Sequence, residues 1–384
     1  LVYLDSAASA QKPRAVIDEV ANCYASEYAN IHRGGYYLSQ ALTSKYEVAR
    51  ETVKNYIGAK SSQEIIFVRG ATEAINLVAS SYGKKYINKG DEILITELEH
   101  HSNYVPWNFL RTEKGAVIKF AQVNENGDIE LDEIKKLITS KTKIIAITHI
   151  SNVTGAVLPI TKIVDLAKEK KIPVLIDGTQ GAPHSEIDMQ KIGCDFYAIS
   201  CHKMYGPNGL GLLYMKKKWV DDLPPYQGGG GMINEVKKDE ISFADAHTKF
   251  EAGTMQTAEV VAFAESLNFI DKLGIKNIAS HENEILQYGL EILKKNNSIN
   301  IIGDPKERGS VLCFTLKDIH PHDIATILDD DGVAIRAGHH CCQILHDKLG
   351  IPATARASIG VYNDKEDIDK LSDAIKNCQK VFQN

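Results

Sequence analysis

The sequence predicts an α/β protein, with a large, mostly parallel sheet covered by helices on both faces. A smaller α/β unit with an antiparallel sheet follows it. Three observations carry this reading. From Glu64 onward short apolar runs alternate with amphipathic segments of helix length, the rhythm of β-α-β crossovers. The runs are continuously apolar, as strands buried on both faces are. The rhythm then breaks at Gly228-Gly229-Gly230-Gly231, too flexible for any element.

Taken in order, Leu1 to Asp5 reads as a short strand and Asp5-Ser6-Ala7-Ala8-Ser9 as a small-residue turn. Helical periodicity covers about 15–28 and 39–57. Strands are expected at Ile65–Val68, Ile93–Thr96, Val117–Phe120, Lys143–His149 and Val174–Asp177, with helices starting near Thr72, His101, Leu131 and Ile160. Phe196 to Ile199 is a further strand. It ends in the polar cluster Ser200-Cys201-His202-Lys203, turns at Gly206-Pro207-Asn208-Gly209 and leaves along Leu210 to Tyr214. After the glycine run come helices at 257–273 and 275–296, strands at 299–302 and 310–316, and a helix from Asp323. Strands at 333–336 and 355–359 and a closing helix from Lys365 complete the chain. The implied division is a segment 1–14 packed on the small domain, a large domain over 15–260 and a small domain over 261–384.

Composition narrows the function. The chain has 384 residues, 43% hydrophobic and 24% charged, which is ordinary for a globular protein. A formal net charge of −6 leaves no basic footprint for nucleic acid. No apolar run approaches the roughly 20 residues of a membrane span. Seven scattered cysteines are an odd number, which favours free thiols in a reducing compartment such as the cytoplasm. No signal or transit pattern opens the sequence.

In a mostly parallel sheet ligands bind at the carboxyl ends of strands, so polar residues there are the candidates. Lys203 sits between two apolar runs, where an ammonium is costly unless neutralised. It is either a solvated loop lysine or an amine made covalent as a Schiff base with a carbonyl cofactor. Asp177 follows four apolar residues and is either a turn former before Gly178 or the partner of a buried cation such as a protonated pyridine nitrogen. The pair lies 26 residues apart, one helix-sized connection between them. That is the electrostatic layout pyridoxal phosphate requires, an amine for its aldehyde and a carboxylate for its ring nitrogen. Thr72 opens a helix after a glycine turn, either capping it or offering a hydroxyl to a phosphate beside Ser200 and His202. His100 either stacks on an aromatic cofactor or satisfies a polar loop, and Asn152 is a hydrogen-bonding candidate. Arg336-Ala337-Gly338-His339-His340-Cys341-Cys342 reads as a zinc site or as a nucleophilic thiolate. Spaced ligand pairs are missing for zinc. For the thiolate, imidazoles and a helix start near Gln343 would lower the pKa of Cys341. Arg356, returning on the next strand, suits a carboxylate.

These motifs together resemble the group II (SUF-type) cysteine desulfurases and selenocysteine lyases, fold-type I pyridoxal-phosphate enzymes. The resemblance is carried by YLDSAASAQKP, HRG at 32–34, VRGATEAINLVA, ELEHHSN, IDGTQGAPH, SCHKMYGPNGLG, FEAGTMQT and RAGHHC followed by RASIGVYN. It implies Lys203 as the cofactor-bearing lysine, Asp177 at the pyridine nitrogen, Gln180 at the ring hydroxyl and His100 stacked on the ring. Thr72, Ser200 and His202 would hold the phosphate, with Thr254 from a partner subunit. Asn152, Arg356 and His32 would bind substrate, and Cys341 would accept the sulfur. L-cysteine or L-selenocysteine as substrate, iron–sulfur cluster assembly as destination, a small sulfur-acceptor protein and a homodimer are implied with it. Two residues depart from the pattern: Ala71 replaces a common threonine, and Cys342 a common alanine. The helix often found ahead of YLDSAAS is missing, which implies a trimmed sequence. The competing readings are an aminotransferase or β-eliminating lyase, needing no thiol, and a zinc-binding sulfur-relay scaffold without catalysis.

Overall fold

The computed structural model describes residues 1–382, so the last two residues of the expected small domain lie outside it. Its strands are β1 (Val2–Tyr3), β2 (Ile65–Val68), β3 (Glu92–Thr96), β4 (Val117–Ala121), β5 (Thr142–Thr148), β6 (Val174–Asp177), β7 (Phe196–Ser200) and β8 (Gly211–Met215). There follow β9 (Ile233–Val236), β10 (Ile241–Phe243), β11 (Ile299–Ile301), β12 (Val311–Leu316), β13 (Val333–Ala334), β14 (Arg336–Gly338) and β15 (Thr354–Ser358). Seven strands form one sheet in the order β2-β8-β7-β6-β5-β3-β4. Only β8 runs against the others, antiparallel to both β2 and β7. A four-stranded antiparallel sheet, β11-β12-β15-β14, forms the smaller unit.

Why the runs are continuously apolar is visible in the packing. Along β5, Ile145 and Ile147 join the hydrophobic cluster on one face, while Ile144 and Ala146 join the cluster on the other. Strand side chains alternate faces, so a strand covered on both sides needs apolar residues at every position. The amphipathic helix Ile160–Glu169 places Ile163, Val164 and Ala167 on the first face.

The structure redraws several expected boundaries. The first helix is regular over Arg14–Asn22 and then widens into a π-turn over Cys23–Glu27. The helix expected from His101 is a short 3-10 turn, His101–Asn103, followed by a helix over Val105–Lys114 with Pro106 in its first turn. The expected strand 333–336 is two strands. Val333–Ala334 pairs with β1, and Arg336–Gly338 pairs with β15, so the chain changes partner at Ile335. The hairpin of β9 and β10 was not expected, and most of its residues are exposed. With few side chains buried, it leaves little hydrophobic pattern to read.

Arg50, fully buried, forms a two-pronged pair with Glu251, both contacts at 2.8 Å. The same groups hold edge strand β2: Arg50 Nη1 donates to the Ile65 carbonyl and the Phe67 N–H donates to Glu251, each at 2.8 Å. Removing one member would strand a charge in the interior. Arg50→Met should therefore cost about 3–5 kcal/mol in denaturant unfolding. A loss under 1 kcal/mol would show that the pair contributes little.

Candidate active site

Six strands of the large sheet point one way, so β2, β3, β5, β6 and β7 end at one edge. A cavity of about 230 Å³ opens there. Ten of the residues expected from sequence line it: Thr72, His100, Asn152, Asp177, Gln180, Ser200, His202, Lys203, Cys341 and Arg356. His32 and Thr254 do not. His32 is turned away by a 3.0 Å contact with Glu47, and Thr254 lines a separate surface hollow beside Gln227. Thr254 is expected from a partner subunit, so its place here bears only on the cavity of its own chain, which His32 does not reach either.

Lys203 follows β7. Burial drives its amine down to about 8, and the Arg356 charge adds to that while Asp177 opposes it. A lysine poised this way is far more often a free, nucleophilic amine than one in water. Asp177 ends β6, buried, and its Oδ1 accepts the Thr179 N–H at 3.0 Å. It thus makes the turn and still faces the cavity. Thr179 Oγ1 is buried there with no partner.

The opposite end of the cavity is an anion cradle. Gly70 stands at the N-cap of the helix Ala71–Tyr86 and has no side chain to cap it, and Thr72 lies within the first turn and is not a cap. Free N–H groups and the positive end of the helix dipole face the cavity there. Ser200 Oγ accepts the Ala71 N–H at 2.9 Å, joining β7 to this turn. The close approach needs Gly211, where a Cβ would stand 2.4 Å from the Gly70 Cα. His202 is held neutral by burial, its pKa near 4.

His100 is also kept neutral, pushed to about 4 mainly by burial. Its Nδ1 accepts the Ser102 N–H at 3.1 Å, which places the ring proton on Nε2. Beneath it lies Glu99, missed by sequence reasoning. This buried carboxyl accepts from Asn103 Nδ2 at 2.6 Å and the Thr148 N–H at 3.0 Å. Burial, with Asp177 nearby, raises its pKa to about 8.

The cysteine loop has two successive residues in left-handed conformation, His340 (φ 51°) and Cys341 (φ 56°). Such strain persists only when neighbours hold it. Here Asn152 Nδ2 donates to the His340 carbonyl at 2.7 Å and the His101 N–H to the Cys341 carbonyl at 2.7 Å. The Gln343 N–H donates to His101 Nε2 at 3.2 Å. The result separates two adjacent thiols. Cys341 is exposed, while Cys342 is wholly buried against the carbonyls of Leu98 and Glu99. Burial pushes the Cys342 thiol far above its ordinary pKa.

Of the imidazoles and the helix start expected to activate Cys341, one imidazole brings no charge. His340 is buried and its pKa falls to about 2, so it brings no positive charge. Its Nε2 lies 3.0 Å from Thr354 Oγ1, which also lies 3.0 Å from His346 Nε2. Among the described residues no group of three or more His, Cys, Asp or Glu side chains is arranged to hold a metal ion.

Arg356 donates from Nη1 to the Asn152 carbonyl at 3.1 Å, and its buried Nε has no partner. That orphan suits an incoming carboxylate. Arg336 also lines the cavity. The sequence reading placed it only within the cysteine motif.

This sheet, with an amine, a carboxylate and an anion-binding turn along one edge, is the architecture of the fold-type I pyridoxal-phosphate enzymes. The class-V aminotransferase model matches residues 2–371. A probable cysteine desulfurase of Staphylococcus epidermidis is 46% identical over all of this chain and 93% of its own length. Another from Halalkalibacterium halodurans is 44% identical over all of this chain and 94% of its own. The Escherichia coli cysteine desulfurase CsdA, solved as an S-sulfonic acid, superposes with a TM-score of 0.93 at 36% identity, over 99% of this chain and 95% of its own. The apo cysteine desulfurase of Thermococcus onnurineus gives 0.95 at 33% identity, with the same coverage. The chain belongs to the class-V aminotransferase family and, within it, to the SUF-type group II cysteine desulfurases. Membership implies pyridoxal phosphate, and the cradle, the free amine and the unpartnered Thr179 hydroxyl fit that group.

Proposed function

We propose that this protein converts L-cysteine to L-alanine and leaves the sulfur as a persulfide on Cys341, destined for iron–sulfur cluster assembly through a small acceptor protein. One observation carries the assignment: Lys203, Asp177 and Cys341 line one small cavity, with Cys341 exposed and Cys342 sealed away. Thr72, Ser200 and His202 would hold the phosphate of pyridoxal phosphate. Lys203 would bind its aldehyde, Asp177 would keep its nitrogen protonated, and His100 and Gln180 would position the ring. Once bound, the group supplies an electron sink that makes the substrate Cα proton removable.

The chain's own residues do the rest. Arg356 and Asn152 anchor the substrate carboxylate. The Lys203 amine takes the Cα proton and later returns one to carbon. The Cys341 thiol, as thiolate, attacks the substrate sulfur. The S–S bond forms as the C–S bond breaks, and the Cβ gains a proton, so atoms balance without an added oxidant. The persulfide then sits at the exposed rim, where an acceptor thiol can reach it. A homodimer, with Thr254 and His32 serving the neighbouring cavity, belongs to the same proposal. So does the division at 14 and 260, supported by the pairing of β1 with β13.

Borohydride reduction of the cofactor-loaded protein followed by peptide mapping should label Lys203. A label on another lysine, or none, would refute the assignment.

A further inference from the structure

Arg336 and Arg356 are direct cross-strand partners, β14 against β15. Two like charges placed opposite each other repel, and here the cost is raised because the Arg356 side chain is only 3% exposed. A single carboxylate relieves both. Asp5 Oδ1 meets Arg356 Nη2 at 3.3 Å, and Asp5 Oδ2 meets Arg336 Nε at 3.2 Å. Asp5 is held in place by a bridge to Ser358, two residues beyond Arg356 on β15. Both arginines form part of the cavity wall and Asp5 does not, so it stands behind them.

We propose that Asp5 is a specificity-determining residue that sets the net charge of the carboxylate-binding corner at +1, matched to an amino acid carrying one carboxylate. Two uncompensated arginines would favour substrates bearing a second negative group, such as an acidic side chain. With one guanidinium charge cancelled, the corner neutralises the α-carboxylate and keeps little attraction for more. Arg356 is enclosed and weakly screened by salt, while the Arg336 side chain is 50% exposed, so the effect should be largest at low ionic strength. The inference rests on the reading of Arg356 as the carboxylate anchor.

The test is a charge ladder read with two isosteric probes, L-aspartate and L-asparagine, whose binding to the cofactor-loaded protein is followed by absorbance. Asp5→Asn raises the corner to +2 and should shift the affinity ratio toward L-aspartate by about tenfold or more. Arg336→Gln lowers it to zero and should shift the ratio the other way. The double variant Asp5→Asn/Arg336→Gln restores +1 and should return the ratio to within about twofold of the parent. A purely structural role would lower the melting temperature of Asp5→Asn without moving the ratio, and that result overturns the proposal. So does a shift that the double variant fails to reverse. Arg356→Gln is the control for the underlying reading. If it leaves L-asparagine binding intact, the anchor assignment falls. If it abolishes that binding while Asp5→Asn leaves the ratio unmoved, only the role of Asp5 falls.

Discussion

Replacing Cys341 with alanine should cut sulfide release from L-cysteine by at least about 10³-fold while leaving cofactor binding intact. Among the described residues Cys341 carries the only thiol on the cavity wall, and an alanine methyl cannot replace it. The neighbouring substitution is the informative contrast. Cys342 is the more buried of the two, packed against Leu98 and Glu99 backbone with its thiol pKa pushed far up. Its thiolate is therefore scarce at neutral pH, and its sulfur faces away from the cavity. Cys342→Ala should keep sulfide release within about twofold and cost roughly 1 kcal/mol of stability from lost packing. Sulfide assays on both variants, with denaturant unfolding of the second, decide between them. If Cys341→Ala retained normal turnover while Cys342→Ala lost it, the two thiols would exchange roles.

How far the sequence could be read depended on whether a residue's role was local. The large sheet was legible because its strands are buried on both faces, which forces unbroken apolar runs such as Val174-Leu175-Ile176. Lys203 and Asp177 were legible because a charge at the end of such a run demands a reason. The division of labour between Cys341 and Cys342 was not legible. It is set by two left-handed residues and by bonds from Asn152 and His101, which lie some 190 and 240 positions away. Glu99 and Asp5 escaped for the same cause. Glu99 sits in a polar stretch where a carboxylate attracts no notice, Asp5 reads as part of a small-residue turn, and each acquires meaning only through partners from distant strands. His32 was read from its motif as a substrate-binding residue, and within this chain Glu47 holds its ring outside the cavity.

Replacing Lys203 with alanine should lower turnover by roughly 10³-fold or more, since one amine both carries the cofactor and moves the Cα proton. The cofactor should still be retained, more weakly, because the anion cradle of Thr72, Ser200 and His202 is untouched. A second consequence concerns stability and runs opposite to the usual expectation for a mutation. In the cofactor-free protein the Lys203 amine has a pKa of about 8, against 10.5 for an ordinary lysine. Between those values the unfolded chain binds more protons than the folded one, so stability rises with pH across that window. Below about 8 the amine is charged in both states, and the folded protein bears the full desolvation penalty. Lys203→Ala removes that penalty. The cofactor-free variant should therefore be more stable than its parent below pH 8, with the advantage fading as pH rises toward 10.5. Denaturant unfolding of both proteins at pH 7 and pH 10 measures this directly. A difference that stayed constant between the two would mean that Lys203 does not titrate in a buried setting, and the case for a primed amine would fail with it.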